Sequence, residues 1–189
     1  MLEEEKIQSS EVLEQVSFEA NDGELVGVIG AVGSGKTSLL LSLAGETELA
    51  SGIAKKNGSI AYVEQDPFII SGTIRENIQF GHLHDERFLS EVLAASALAS
   101  DLESMPEGLD KLVGERGISL SGGQRARVSL ARALYSKADI YLLDDPLSAV
   151  DTRVSKRIFE DAIKTFLRHK CVVLATHRIE YLPEFDRVY

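Results

Sequence analysis

The sequence has few of the features that mark secreted or membrane-embedded proteins. Its 189 residues include one cysteine, Cys171, so no disulfide can form within the chain and a reducing compartment is expected. No apolar run approaches the roughly 20 residues that a membrane-spanning helix needs, since the longest runs, at 25–32 and 140–143, are short. The N-terminus is acidic where a secretory signal would be basic and apolar, so no signal peptide is expected.

Positive charge is also scarce. The 20 lysine and arginine residues are outnumbered by 30 aspartate and glutamate residues, which gives a net charge of −10. This balance disfavours a nucleic-acid partner, whose phosphates bind basic surfaces. The remaining composition, 44% hydrophobic and 26% charged, is that of a globular protein, and the length suits one domain with a buried core.

Apolar patterning predicts alternating strands and helices. Val16, Phe18 and Ala20 alternate with polar residues before a turn at 21–23, which predicts an N-terminal antiparallel β-hairpin with 24–30 as its second arm. Further strands are predicted at 59–63, 140–143 and 171–175, and helices at 37–44 and across 154–166. This alternation indicates an α/β fold with a mainly parallel sheet. Between residues 72 and 134, helical spacing of apolar residues predicts an inserted α-helical subdomain, carried by a core of residues 1–71 and 135–189.

A glycine-rich loop follows the predicted strand at 24–30. Its sequence, GAVGSGKT at 30–37, fits the P-loop pattern, in which backbone N–H groups surround a phosphate at a helix N-terminus. We therefore predict a P-loop NTPase core that binds a nucleoside triphosphate, with Lys36 on the β- and γ-phosphates and the Thr37 hydroxyl on Mg²⁺. The nucleotide-binding residues predicted here are Gly30, Val32, Gly33, Ser34, Gly35, Lys36, Thr37 and Ser38.

Asp144 ends the apolar run at 140–143. A carboxylate at the end of a buried strand, paired with a P-loop, is typical of the residue that holds Mg²⁺ through water. An aspartate at a strand end is otherwise often a turn or helix-cap residue. The preceding apolar run and the P-loop favour the metal role.

The chain from about Leu13 onwards resembles the nucleotide-binding domain of ATP-binding-cassette (ABC) ATPases. The LSGGQ run at 120–124 carries this resemblance together with the P-loop. The resemblance implies that Ser121, Gly122, Gly123 and Gln124 contact the nucleotide of a partner domain and that 148–151 form the D-loop. It also implies that Gln65 contacts Mg²⁺ and the attacking water, and that His177 is the switch histidine. Taken alone, Gln65 would be an ordinary exposed side chain, and His177 is one of four histidines.

Three longer stretches resemble the first nucleotide-binding domain of the C subfamily, which includes the multidrug-resistance-associated proteins and the cystic fibrosis conductance regulator. They lie at 67–81, 114–135 and 139–151. The resemblance implies head-to-tail pairing with a second nucleotide-binding domain and contact with transmembrane domains of the same polypeptide. It also implies a position at the cytoplasmic face of a membrane, with the chain cut from a longer protein.

Two departures from the family pattern bear on activity. Asp145 stands where most members have the glutamate that activates water, and its side chain is one methylene shorter. We therefore expect slow hydrolysis at this P-loop, since general-base catalysis contributes about 10²–10⁴-fold. No aromatic residue occurs at 2–10, where the family stacks adenine, so either the chain is trimmed there or adenine is held less well.

Two functions are consistent with these motifs. The first is the ATPase domain of an exporter, which His177 favours because the conductance regulator's first domain lacks that histidine. The second is a regulatory ATP-binding module of a channel or receptor-regulating relative, with little hydrolysis. A soluble ABC factor acting on ribosomes or DNA is disfavoured by the acidic charge and by the C-subfamily stretches.

Overall fold

A five-stranded parallel sheet forms the centre of the fold. The computed structural model describes residues 13–189. The sheet strands are β1 (Leu25–Ile29), β2 (Ile60–Val63), β5 (Ile140–Asp144), β6 (Cys171–Thr176) and β7 (Arg187–Val188); two short strands, β3 (Gly72–Thr73) and β4 (Leu112–Val113), form a separate antiparallel pair. The order in the sheet is β2-β5-β6-β1-β7, so the predicted α/β fold with a mainly parallel sheet is confirmed.

Six α-helices accompany these strands in the described residues. They are α1 (Lys36–Ala44), α2 (Ile74–Gln79), α3 (Glu86–Ala95), α4 (Ala99–Glu103), α5 (Gly122–Tyr135) and α6 (Thr152–Ile158). The last continues as a π-helical segment, Phe159–Phe166. The helix predicted at 37–44 is confirmed as α1, which ends where Gly45 adopts the left-handed C-cap conformation.

The sheet separates two apolar layers. On one face Val28, Leu142 and Val173 pack with Leu40 of α1. On the other, Leu143 and Leu174 belong to the larger core that includes residues of α5, α6 and the helices between β3 and β4. Burial on both faces explains the continuous apolar runs of β5 and β6, since neither face meets water.

The N-terminal hairpin prediction was wrong. A turn does occur at 21–23, where Glu24 N–H donates to the Asn21 carbonyl, but 13–20 form no strand. The reason is that both edges of β1 are already paired, with β6 on one side and β7 on the other. Phe18 instead packs on the Tyr189 ring, with centroids 4.6 Å apart. The antiparallel pairing is between β3 and β4, on either side of α2–α4.

The parallel arrangement brings several loops to one edge of the sheet. The carboxyl ends of β1, β2, β5 and β6 all face the same way, which is where α/β folds bind ligands. The glycine-rich loop, Gln65, the Asp144–Asp145 pair and His177 all follow these ends. Across residues 13–189, no helix is both long and apolar enough to cross a bilayer.

Candidate functional site

The glycine-rich loop joins β1 to α1. Gly33 and Gly35 have φ angles of 83° and 91°, in the left-handed region that glycine adopts without steric cost. At Gly30 a Cβ would collide with the Ser34 side chain, so the close turn needs glycine there too. Gly35 is the N-cap of α1 and offers no side-chain acceptor to the N–H groups of the first turn. Those N–H groups are donors suited to an anion at the helix N-terminus.

Lys36 and Thr37 lie on the first turn of α1. The Lys36 ammonium donates to the carbonyls of Gly30 and Ala31, at 2.8 and 2.9 Å, and so lies across the loop. The Thr37 hydroxyl donates to Asp144 Oδ2 at 2.7 Å. The fold thus joins two motifs that are 107 residues apart in the sequence. Of the other predicted loop residues, Val32 and Ser34 are exposed and Ser38 is half-buried on α1.

Asp144 has a second partner that the sequence did not indicate. The Tyr62 hydroxyl donates to the same Oδ2 atom at 3.2 Å. Burial and the Asp144 carboxylate raise the pKa of Tyr62 far above its usual range, so Tyr62 stays a hydrogen-bond donor. Tyr62 is in register with Leu142, two residues before Asp144, so the two side chains share a sheet face. Sheet register is the signal that would have identified Tyr62.

Asp145 faces β6, the strand on the other side of β5 from β2. Its Oδ2 lies 2.7 Å from His177 Nδ1, and its Oδ1 accepts a longer bond from the Thr176 hydroxyl at 3.4 Å. The Asp145 residue is only 6% exposed, whereas the His177 side chain is 53% exposed. Asp145 also has a positive φ of 45°, an uncommon conformation for any residue other than glycine, asparagine or aspartate. The structure therefore brings the predicted base and the predicted switch residue into direct contact.

The remaining predicted residues lie in two places. Gln65 is exposed two residues beyond β2, at the same edge of the sheet. The Ser121–Gln124 group lies at the start of α5, where the Ser121 hydroxyl accepts from Gln124 N–H and the Gln124 side chain accepts from Ser121 N–H. This capping box explains why the helix begins here. Within residues 13–189, no hydrogen bond joins this group to the glycine-rich loop.

Asp101 of α4 holds the start of α5 and was missed by sequence reasoning. It accepts from Gln124 Nε2 at 3.3 Å and from Arg127 Nε and Nη2 at 2.7 and 2.8 Å. Both charged side chains are nearly buried, with 15% and 11% of their area exposed. Such a bidentate pair fixes geometry strongly. It fixes the orientation of Gln124 relative to α4.

The residues of the loop edge fit a magnesium nucleotide. In the described part of the chain, no group of three or more histidine, cysteine, aspartate or glutamate side chains is arranged to hold a metal. Mg²⁺ commonly takes one or two protein oxygens and completes its shell with phosphate and water. The Thr37 hydroxyl and the Asp144 carboxylate form such an oxygen pair. The pair lies beside the backbone N–H groups at the start of α1, which suit a phosphate.

Comparison with known proteins agrees with this geometry. The model of the ABC transporter family matches residues 13–148. ATP-binding cassette sub-family C member 4 of Mus musculus is 48% identical over 184 residues, covering 97% of this chain and 14% of the relative. ATP-binding cassette sub-family C member 2 of Mus musculus is 49% identical over 178 residues, covering 93% and 12%. The metal resistance protein YCF1 of Saccharomyces cerevisiae is 47% identical over 178 residues, again covering 93% and 12%.

Two of these relatives carry sub-family C in their names, so the predicted resemblance to the C subfamily is confirmed. This chain spans between 12% and 14% of the length of the three relatives named here. Domains of the matched family bind nucleotide and are ATPases. On the family match over 13–148 and these identities, the chain belongs to the ABC transporter family.

Proposed function

We propose that this chain binds Mg-ATP at the loop between β1 and α1. The observation that carries the proposal is the 2.7 Å contact between Thr37 and Asp144, because it unites a hydroxyl and a carboxylate beside a helix N-terminus rich in free donors. The Lys36 ammonium, which bonds two loop carbonyls, would exchange them for phosphate oxygens. Mg²⁺ would be held by Thr37 and Asp144, with Gln65 as a further ligand, and would neutralise phosphate charge.

The proposal extends to a partner domain. Ser121–Gln124 of this chain would complete the nucleotide site of a second nucleotide-binding domain, and that domain would complete this site in return. The separation of the two groups within one chain supports this arrangement. Gln65 and the following 67–81 stretch would contact transmembrane domains at the cytoplasmic face of a membrane; Phe68 and Phe80, 57% and 50% exposed, give this stretch an apolar surface. ATP binding and hydrolysis would then be coupled to transport.

Hydrolysis at this P-loop would be slow. Asp145 is shorter than the usual glutamate, and its carboxylate oxygens are already engaged with His177 and Thr176. This engagement also favours a second candidate function, a regulatory module that holds ATP with little turnover. The exporter ATPase domain and the regulatory module differ in whether hydrolysis at this site drives a transport cycle.

Lys36→Ala tests the binding site. We expect the variant to bind Mg-ATP at least about a hundredfold more weakly, or about 3 kcal/mol, because it loses a charged donor to the phosphates. Calorimetric titration gives the affinity, and circular dichroism checks that the fold is retained. Lys156→Ala, at an exposed lysine on α6, is the matched control and should bind as the wild type does. Equal affinities for the wild type, Lys36→Ala and Lys156→Ala would contradict the proposed binding site.

A further inference from the structure

The side chain of Arg178 is bound to a loop that precedes α6. Its Nη2 atom donates to the carbonyls of Leu147 and Val150 at 3.0 and 3.3 Å, and its Nη1 atom donates to Ser155 Oγ at 2.9 Å. Only 15% of the side chain is exposed, and its pairing with Glu180 is long, at 3.9 Å. The guanidinium is therefore held chiefly by backbone oxygens and one hydroxyl.

The loop held by Arg178 has buried ends and an exposed tip. Leu147 and Val150 are 2% and 6% exposed, whereas Ser148 and Ala149 between them are exposed. The tip is also tied to Asp145, whose carbonyl accepts from the N–H and hydroxyl of Ser148 at 3.1 and 2.9 Å. Arg178 thus fixes both ends of a short loop whose tip faces away from the core.

The residues preceding Arg178 contact the same turn from the other side. His177 Nδ1 lies 2.7 Å from Asp145 Oδ2, and the Thr176 hydroxyl donates to Asp145 Oδ1 at 3.4 Å. The Arg178 N–H donates to that same hydroxyl at 3.1 Å. Three consecutive residues therefore hold the segment 145–150: Thr176 and His177 bond Asp145 at its start, and Arg178 bonds the carbonyls of Leu147 and Val150. Adjacent contacts of this kind couple the position of the His177 segment to that of the loop.

We propose that Arg178 is a positioning residue that transmits the state of the His177 segment to the exposed tip at Ser148 and Ala149. The inference rests on the proposed function, in which Mg-ATP binds beside Asp144 and Asp145 and a second domain meets this chain. The planar guanidinium suits the task because its fixed fork reaches two carbonyls and a hydroxyl at once. A lysine at this position has no such fork.

Backbone hydrogen exchange tests this link in the chain itself, with no partner required. In Arg178→Gln we expect amides of 145–151 to exchange about tenfold faster than in the wild type, because the loop loses its charged donors. Amides of β6 and α5 should change less than about twofold, which separates local release from general destabilisation. Glu180→Gln, which removes only the long ion pair, is the matched control and should match the wild type.

The second part of the test compares hydrogen exchange with and without Mg-ATP. Mg-ATP should slow exchange at 145–151 in the wild type but not in Arg178→Gln, although the variant binds ATP with an affinity within about twofold. Arg178→Lys keeps the charge and should recover less than roughly half of the lost protection. Failure of the wild type to bind ATP would overturn the proposed function. ATP binding by every variant, with loop exchange in Arg178→Gln equal to that in Glu180→Gln, would overturn this inference alone, as would full recovery in Arg178→Lys.

Discussion

Asp144 and Asp145 are consecutive carboxylates with different surroundings. Asp144 ends β5 and meets Thr37 of α1 and Tyr62 of β2. Asp145 turns towards β6 through its positive φ and meets Thr176 and His177. Both are buried, at 3% and 6% exposure. Two adjacent carboxylates are thus directed to separate sets of partners.

The slow hydrolysis proposed for this P-loop depends on the length of the Asp145 side chain. Asp145→Glu adds one methylene without changing charge, so the carboxylate reaches further beyond its partners. We expect single-turnover hydrolysis at this P-loop to rise by about tenfold or more, since a well-placed base contributes about 10²–10⁴-fold. The measurement uses the complete transporter, or a complex with its second nucleotide-binding domain, with that domain's own base disabled.

Asp144→Asn serves as the comparison variant for this measurement. It removes a charge beside Thr37, so it should weaken Mg²⁺-dependent ATP binding, whereas Asp145→Glu should leave binding within about twofold. A rate in Asp145→Glu that equals or falls below the wild-type rate would contradict the account. The positive φ at position 145 could offset part of the gain, because glutamate adopts this region less readily than aspartate.

The residue contacts divide into those a sequence motif indicates and those it does not. The contact of Thr37 with Asp144 follows from the P-loop and the apolar run before Asp144, since both end at the same sheet edge. Tyr62, Asp101 and Arg178 carry no motif. Their bonds depend on strand register, on the packing of α4 against α5 and on a side-chain rotamer, none of which a local pattern encodes.

Among the elements, α5 is fixed to α2 by the guanidinium of Arg132, in addition to the Arg127 contact with α4. Arg132 donates to the carbonyl of Asn77 at 2.7 Å, to the Asn77 side chain at 2.8 Å and to the Phe68 carbonyl at 2.7 Å. Its Cζ atom also lies 4.9 Å from the centre of the Phe80 ring. Burial lowers the pKa of Arg132 below its usual range, so the bonds compensate a real desolvation cost. One side chain therefore joins α5 to α2 and to the 67–71 segment.

Arg132→Ala should accordingly destabilise the helical region. We expect the free energy of unfolding to fall by about 3 kcal/mol, because the carbonyl and side chain of the buried Asn77 lose a charged donor. Urea denaturation followed by circular dichroism measures this change. Arg87→Ala is the matched control, since that side chain is 92% exposed and pairs with Glu91 one turn away; its effect should stay below about 0.5 kcal/mol. Similar losses in the two variants would contradict the role of Arg132.

Strands were predicted correctly where both of their faces are buried. The prediction failed where a strand would need a free neighbouring edge to pair with. The runs 140–143 of β5 and 171–175 of β6 are apolar because both faces of these strands are covered, and these runs are visible in the sequence. The arm at 16–20 has a clear alternating pattern, yet β1 offers it no free edge. An alternation of apolar and polar residues identifies a half-buried segment. It does not say whether a neighbouring strand is free to form hydrogen bonds with that segment.

For the molecule as a whole, the glycine-rich loop and the Ser121–Gln124 group make separate sets of contacts. The loop residues bond within the loop and to β5, whereas Ser121–Gln124 bond among themselves and to Asp101. In the proposed function, a second domain brings a nucleotide between two such groups. Two copies of this chain would also bring together equal net charges of −10. Pairing with a different domain is thus favoured over pairing with itself.

We expect the isolated chain to sediment as a monomer of about 20.6 kDa at micromolar concentration, with or without Mg-ATP. Like-charge repulsion is screened beyond about 3 Å at 1 M salt, so runs at low and high ionic strength separate electrostatic from geometric causes. A monomer at both strengths indicates that the surfaces themselves do not match. Adding the transporter's second nucleotide-binding domain with Mg-ATP should produce a faster-sedimenting species, and Lys36→Ala should weaken its formation because one of its two nucleotide sites then stays unfilled. A stable ATP-dependent homodimer of this chain alone would contradict the requirement for an unlike partner.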